Sequence, residues 1–337
     1  MKILAINGGN GAMLLPMKKY LVGNIEIRSL FKTPGDIQWK LNFGDIPLHT
    51  KAEDLTKYSN IDVVVGAPNC GHSSLLAYSR AKKTSDPMKD ESFELFIIGL
   101  KYLRPKIFMM ENLPKSLDMI PEDVWRKTFP DYELIFHNLS VSEWGNSQAN
   151  RIRLIIIGLD KKYFSHNLFE AQYHFSYVYR VKKLKKCKDL LKGLGNEEIV
   201  KIGHVREDIN DIITMYAGFK ISLKEAQKLW LNNPKLKRWP VTNKKFSTAP
   251  GVYRNLDDDY PAVARKANRQ FNNQGLQMSP RELARIQGIP NRFKIYIDPD
   301  KKYFWINKGR TTVTKTCPYE MPLWFIRQLK QIMPCKS

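Results

Sequence analysis

The stretch VVVGAPNCGHSS, Val63 to Ser74, carries an apolar run into a Pro and then into a thiol, Cys70. A cysteine reacts as its thiolate, which a nearby cation or a helix N-terminus stabilises. His72 and the cations of GHSSLLAYSRAKK follow closely. From these letters alone, a buried and inert Cys reads as well as a nucleophile. A second run, in MMENLPKSL, ends on Glu111 and Asn112. Burial there would raise the Glu pKa, and a protonated Glu can donate to a ring nitrogen. A turn-capping Glu is the alternative. In QANRIRLIIIG, Arg151 and Arg153 alternate before a third apolar run, so strand periodicity points them to one face. Two guanidinium forks aimed at one place suit a phosphate or a polarised carbonyl, and two surface cations are the alternative.

Three further features suit a nucleotide-like ligand. INGGNG, Ile6 to Gly11, is a Gly-rich turn directly after the first apolar run. Such a turn lets backbone approach a ligand closely, although Gly-rich turns also occur without one. Glu26 stands at the end of the second run, where a carboxylate can take both hydroxyls of a ribose. Asp45, in FGDI, precedes the third and could accept from the exocyclic amine of adenine. Either acid alone is an ordinary loop or cap residue; at successive strand ends they make an adenosyl site.

The elements that must position these residues are legible. Lys2–Ile6, Gly23–Ile27, Ile61–Gly66, Lys106–Met110 and Arg153–Gly158 are continuous apolar runs of the kind found in a parallel sheet covered on both faces. ESFELFIIGLKYL places Phe93, Phe96, Ile97, Leu100 and Leu103 at helical spacing and predicts a crossover helix. The result is a doubly wound α/β domain with its ligands at the carboxyl ends of the strands. Beyond about Lys161 the texture changes to the densely basic YRVKKLKKCKDLLKG. Ser222 and Glu225 predict one helix start by a capping box. Ser279, Pro280 and Glu282 predict another, with Gly288 as its stop and Pro290 as the break after it.

Composition narrows the partner. The 337 residues hold 55 Lys and Arg against 33 Asp and Glu, a formal charge of +22. Such an excess favours a polyanion, because each phosphate neutralised releases counterions. Nucleic acid is the first expectation and an anionic membrane the second. No apolar run approaches the ~18 residues of a membrane span. MKILAINGGNG reads as a strand and turn rather than a secretory leader. Cys70, Cys187, Cys317 and Cys335 are scattered and form no CxxC or Cys/His cluster. Neither a metal site nor a disulfide framework is therefore expected. The expected setting is the cytoplasm of a prokaryotic cell or a virus-infected host, with the chain acting as a monomer.

In this order the pieces resemble the DNA cytosine-5 methyltransferase family. That family shows Pro-Cys-Gln after a Gly-Gly loop, then Glu-Asn-Val, Gln-x-Arg-x-Arg and Arg-Glu-x-x-Arg-x-Gln-Gly-Phe-Pro. Here Arg281, Glu282, Arg285, Gln287, Gly288 and Pro290 match the last motif. The resemblance implies a Rossmann-like fold and S-adenosylmethionine as cofactor, with double-stranded DNA as partner, often in a restriction-modification setting. It implies a catalytic domain over 1–160 and a variable, basic target-recognition domain over 161–277. A bracing helix and C-terminal segment over 278–337 would pack back on the catalytic domain. By resemblance Cys70 adds to C6 of a flipped-out cytosine, whose C5 then takes the methyl group. Glu111 holds N3 and the amino group, while Arg151 and Arg153 orient the base and its flanking phosphate. Glu26 takes the ribose and Asp45 the adenine, and Ile6, Gly8, Gly9, Gly11 and Pro68 complete the cofactor site.

The chain departs from the pattern at several positions. Asn69 replaces the Pro before the nucleophile, Gly71 replaces the Gln after it, and Ile6 replaces an aromatic. Gln148 stands three residues before Arg151 rather than two. TKTCPYEMPLWFIRQL replaces a Gly-Asn-Ser-Val segment, so that Cys317 to Pro322 would line the methionine end of the cofactor. Two other readings follow from these departures: a catalytically lapsed DNA-binding homologue, and the same fold acting on RNA or with a modified donor.

Overall fold

The structure is a computed structural model that describes residues 1–9, 11–26, 35–68, 90–141, 151–177, 187–194, 279–296, 313 and 316–333. The chain divides into two compact units. The first comprises Met1–Trp144, Ile152–Arg180 and Thr316–Ser337, and the second Gly145–Arg151 and Val181–Lys315.

A sheet of seven strands organises the first unit: β1 Ile3–Ile6, β2 Leu21–Ile25, β3 Leu48–His49, β4 Val63–Gly66, β5 Ile107–Asn112, β6 Tyr132–Ser140 and β7 Ile152–Asp160. Their order is β3-β2-β1-β4-β5-β7-β6. The first five run parallel, and the order reverses between β1 and β4. In a doubly wound sheet that reversal opens a crevice at the carboxyl ends of the strands. The expected doubly wound α/β class is therefore what the chain forms.

One expectation is corrected within it. The apolar run at Arg153–Gly158 was placed in the parallel sheet, but β7 runs antiparallel to both β5 and β6. A continuous apolar run reports burial on both faces, which β7 has, and is silent on direction. β6 and β3 escaped the sequence reading for different reasons. β6 interrupts its apolar residues with Glu133, His137 and Asn138, and β3 has only two residues. β2 begins two residues earlier than expected and ends at Ile25.

The helices of the first unit begin with α1 Gly35–Phe43, α2 Glu91–Leu103, α3 Ser116–Met119, α4 Glu122–Thr128 and α5 Leu168–Ser176. α6 Cys187–Leu191 and α7 Pro280–Ile286 belong to the second unit, and α8 Glu320–Ile332 returns to the first. α2 has the predicted bounds. Asp90 caps it by accepting from the Ser92 N–H at 3.0 Å, and Arg104 ends it in the left-handed region. Its Phe93, Phe96, Ile97 and Leu100 are buried in one cluster with Leu4, Ile6, Val64, Phe108, Met110 and Ile156 of the strands. Fully burying each such side chain contributes about 1.5–3 kcal/mol. This packing fixes the strand ends that carry the site.

In the second unit, α7 starts as predicted. Ser279 Oγ accepts from the Glu282 N–H at 3.1 Å, and Glu282 Oε2 accepts from the Ser279 N–H at 2.7 Å. Gly288 ends it at φ 72°. Arg285 Nη1 donates to the carbonyls of Leu190 and Lys192, joining α7 to the end of α6. The helix expected from Ser222 lies outside the described residues. Among the described residues no helix is long and apolar enough to cross a membrane, and no group of three His, Cys, Asp or Glu side chains gathers as a metal site would.

Candidate active site

The Gly-rich turn leaves β1 at the crevice. Asn7 N donates to Ile25 O at 2.8 Å, Gly8 N to Asn24 Oδ1 at 3.2 Å and Gly9 N to Glu26 Oε2 at 2.8 Å. Three successive amides thus clamp the turn to the end of β2. Gly9 sits at φ +61°, and a Cβ built on it would meet nothing within 4 Å. The glycine is therefore demanded by backbone conformation, and the space beside it is open. Gly9→Ala is expected to cost about 1–2 kcal/mol from the left-handed backbone alone. It should lower the melting temperature without any packing defect. Gly11→Ala, at φ +83° and against the Phe43 ring, should lower it further.

Glu26 follows β2 directly. Burial pushes its carboxyl up to about 7, against the opposing pull of the Gly9 N–H. A carboxylate offers about four lone-pair sites, so one bond from Gly9 leaves capacity for a pair of ribose hydroxyls. The open side of Gly9 and this acid fit an adenosyl group.

Two other expected cofactor residues do not join them. Ile6 is wholly buried, in the cluster beneath α2, so its side chain serves the core. Asp45 lies before β3, as its place in the sequence predicts. With Lys18, Lys19, Leu21, Val22 and Pro47 it lines a groove of about 890 Å³, at the end of β2 opposite Glu26. The chain enters β3 three residues after Asp45. The carboxyl end of β3 is His49 and Thr50. Glu26 N donates to His49 O at 2.9 Å, which sets Thr50 beside Glu26 in register. His49 Nδ1 stands 3.5 Å from Asp54 Oδ2, and a hydrogen bond from Lys57 holds the Asp54 carboxyl below its usual range. A two-residue strand gives almost no periodic signal, so nothing in the sequence pointed to this end.

β4 delivers the chain to Pro68, which is buried; Cys70, His72 and the rest of 69–89 lie outside the described residues. The mounting of that loop is visible. Asn112 Nδ2, at the end of β5, donates to Pro68 O at 3.4 Å, and its Oδ1 accepts from Leu113 N at 2.8 Å.

Glu111 precedes Asn112 and is buried. It pairs with Ile155 of β7, which makes Arg153 its diagonal neighbour on the same face. Arg153 Nε lies 2.9 Å from Glu111 Oε1, with side chains only 17% and 11% exposed. Burial of Glu111 follows from its own apolar run, whereas the cation beside it comes from a strand distant in the chain. The antiparallel run of β7 is what brings its first turn of chain to the end of β5. Arg151 is buried and belongs to the second unit.

The chain is similar to known proteins of one family and one fold. The family described as C-5 cytosine-specific DNA methylase matches residues 25–308. The type II methyltransferase M.FnuDI of Fusobacterium nucleatum is 23% identical over 357 residues, covering 100% of this chain and 96% of that protein. The type II methyltransferase M1.ScrFI of Lactococcus lactis subsp. cremoris is 27% identical over 284 residues, covering 79% and 63%. Among solved structures, an E. coli prophage protein described as a DNA modification methyltransferase superposes with a TM-score of 0.67 at 16% identity, with 99% of both chains covered. The S. pombe Dnmt2 methyltransferase superposes at 0.61 and 14% identity, again over 99% of both. With the family matched across most of its length, the chain belongs to the C-5 cytosine-specific DNA methylases, enzymes that methylate cytosine C5 in DNA with S-adenosylmethionine as donor.

Proposed function

We propose that this chain acts on duplex DNA through a covalent adduct between Cys70 Sγ and C6 of a cytosine turned out of the helix. The observation that carries the reading is the Glu111–Arg153 pair, held at the end of β5 next to the strand that delivers Cys70. When bound, S-adenosylmethionine supplies the electrophilic methyl group. The chain's own residues do the rest. The Cys70 thiolate attacks C6, and Glu111 faces N3 and the 4-amino group, where a hydrogen bond draws electrons from the ring. Arg153 fixes the Glu111 carboxyl in that pose, and Arg151 is assigned to the neighbouring phosphate. Loss of the C5 proton and expulsion of Sγ then restore the aromatic ring. Gly8, Gly9, Gly11 and Pro68 shape the cofactor site, Glu26 takes the ribose, and His49 and Thr50 stand at its adenine end.

The second unit is assigned target recognition, with α7 bracing it. Side chains there would read base edges in the major groove, and the +22 charge would hold the phosphates. A cytoplasmic monomer beside a restriction nuclease is the setting that suits the type II relatives.

Duplex DNA containing 5-fluorocytosine tests the mechanism, because fluorine blocks the final elimination. With S-adenosylmethionine present, a band of protein fixed to DNA is expected on a denaturing gel and should vanish in Cys70→Ala. A wild-type protein that leaves no band on DNA of mixed sequence sinks the proposal. A band formed on RNA alone would reassign the substrate.

A further inference from the structure

Among the described residues, the three most exposed large apolar side chains are Phe169, Tyr173 and Tyr177, at 83%, 61% and 58%. They follow one another at intervals of four along α5 and its C-terminal cap, so they form one line on the outer face of the helix. The opposite face is anchored. Ala171 and Phe175 are buried, and the Phe175 ring packs against Trp324 and Phe325 of α8 at 6.1 and 5.5 Å. The line is therefore held toward solvent. Single exposed aromatic residues are ordinary, but a contiguous apolar strip marks a place of contact.

Two of the rings leave room for a flat ligand. Tyr173 and Tyr177 lie within 16° of parallel with centroids 6.4 Å apart, and the Tyr177 N–H donates to Tyr173 O at 3.1 Å. A planar base stacked on both faces needs about 6.8 Å between its neighbours, twice the spacing of bases along a DNA strand. Charge selects the same partner. α5 carries one acid, Glu170, and cations flank it on both sides. The exposed Lys161 and Lys162 precede the helix, and the basic sequence YRVKKLKK begins two residues after Tyr177. Aromatic rings set between cations are the composition of a surface that binds unpaired nucleic acid.

The sheet places this line level with the catalytic pair. Glu111, Ile155 and His137 stand opposite one another across β5, β7 and β6, and His137 Nε2 lies 2.8 Å from Phe175 O. His137 is thus two strands, or about 10 Å, from Glu111. Resting on the proposed reading only in taking the strand to be DNA, we infer that Tyr173 and Tyr177 form a stacking slot for one unpaired base of a DNA strand. It is separate from the pocket that takes the target cytosine. Phe169, one turn earlier, offers a ring to the next base.

The test is binding of the full chain to a fluorescent oligothymidine of about 12 nucleotides and to an abasic chain of equal length, which keeps the phosphates and lacks the bases. Oligothymidine holds no cytosine for Cys70. Wild type should prefer it to the abasic chain by about tenfold to a hundredfold, the range spanned by loss of a base-stacking ring. Tyr173→Ala and Tyr177→Ala should each lose most of that preference. Both should bind the abasic chain and melt as wild type does, because the rings stand in solvent. Tyr173→Phe should keep the preference, since stacking needs the ring and not the hydroxyl. An undiminished preference in both Ala variants would overturn the inference, as would a wild type that binds the two chains equally. A wild type that binds neither chain would overturn it too, and altered sedimentation of the Ala variants would then assign the line to contact between copies. The adduct on 5-fluorocytosine DNA reports separately on the proposed function: its absence with the preference intact would sink that reading and leave the slot standing.

Discussion

Glu111→Gln is expected to lower methyl transfer by about two orders of magnitude or more, the range for removing a positioned acid or base. Cofactor binding, whose residues lie on other strands, should hardly change. Arg153 is what makes Glu111 more than a buried acid. A carboxyl at 2.9 Å from a guanidinium, both largely buried, is fixed in direction as well as in charge. Gln keeps the shape but loses the ion pair with Arg153, and it has no acidic proton to share with N3. Arg153→Ala strands the Glu111 charge instead. Breaking one side of a buried pair costs about 3–5 kcal/mol, and the residual exposure here puts the expected loss toward the lower end. Glu111→Gln combined with Arg153→Ala should therefore do less damage than the two losses added. A melting curve and single-turnover methylation on each variant check this. Glu111→Gln activity within threefold of wild type, as a rough bound on a merely structural effect, would remove Glu111 from the chemistry.

The second large effect is at Glu26, where stability and binding pull against each other. Its folded pKa is raised from 4.5 to about 7, chiefly by burial. Below pH 4.5 both folded and unfolded states hold the proton, and the group is neutral to stability. Between pH 4.5 and about 7 the unfolded chain releases its proton first, so this group lowers stability progressively as pH rises. Above about 7 the loss is complete and constant. Glu26→Gln should flatten that slope and melt higher than wild type at pH 8. Its cofactor affinity should fall at the same time, by about tenfold to a hundredfold, because ribose hydroxyls donate best to the ionised carboxylate. Wild-type affinity should accordingly rise toward pH 7 and level off above it, with proton release visible on changing buffer at pH 6.5. A wild-type affinity that is flat from pH 6 to 8 would mean that Glu26 binds the cofactor already ionised or does not touch it. This is the familiar conflict between a strained binding group and a stable fold.

Letters alone located residues that stand at the end of a strongly apolar run. Glu26, Glu111 and Arg153 stand at strand ends as expected, and the Gly-rich turn leaves β1 as expected. α2 was legible to the residue through its apolar spacing alone, and its Asp90 cap and left-handed end are consistent with those bounds. α7 was legible through a capping box that is local in sequence and therefore visible in it. Asp45 precedes a strand as expected, but β3 has only two residues, so which end of it lies beside Glu26 leaves no trace in the sequence.

By itself, then, the sequence determined what depends on neighbours in the chain: the buried strands, the capped helices, the excess of cations, and the order of motifs that marks the family. Tertiary structure decided what depends on pairing across the sheet. Only the antiparallel register of β7 turns Arg153 toward Glu111 rather than away from it, since a shift of one residue would reverse its face. Only the packing of α2 commits Ile6 to the core, and only the pairing of β3 with β2 puts His49 and Thr50, not Asp45, beside Glu26. Hydrogen-bond register and burial are properties of segments far apart in the chain, and local composition does not encode them.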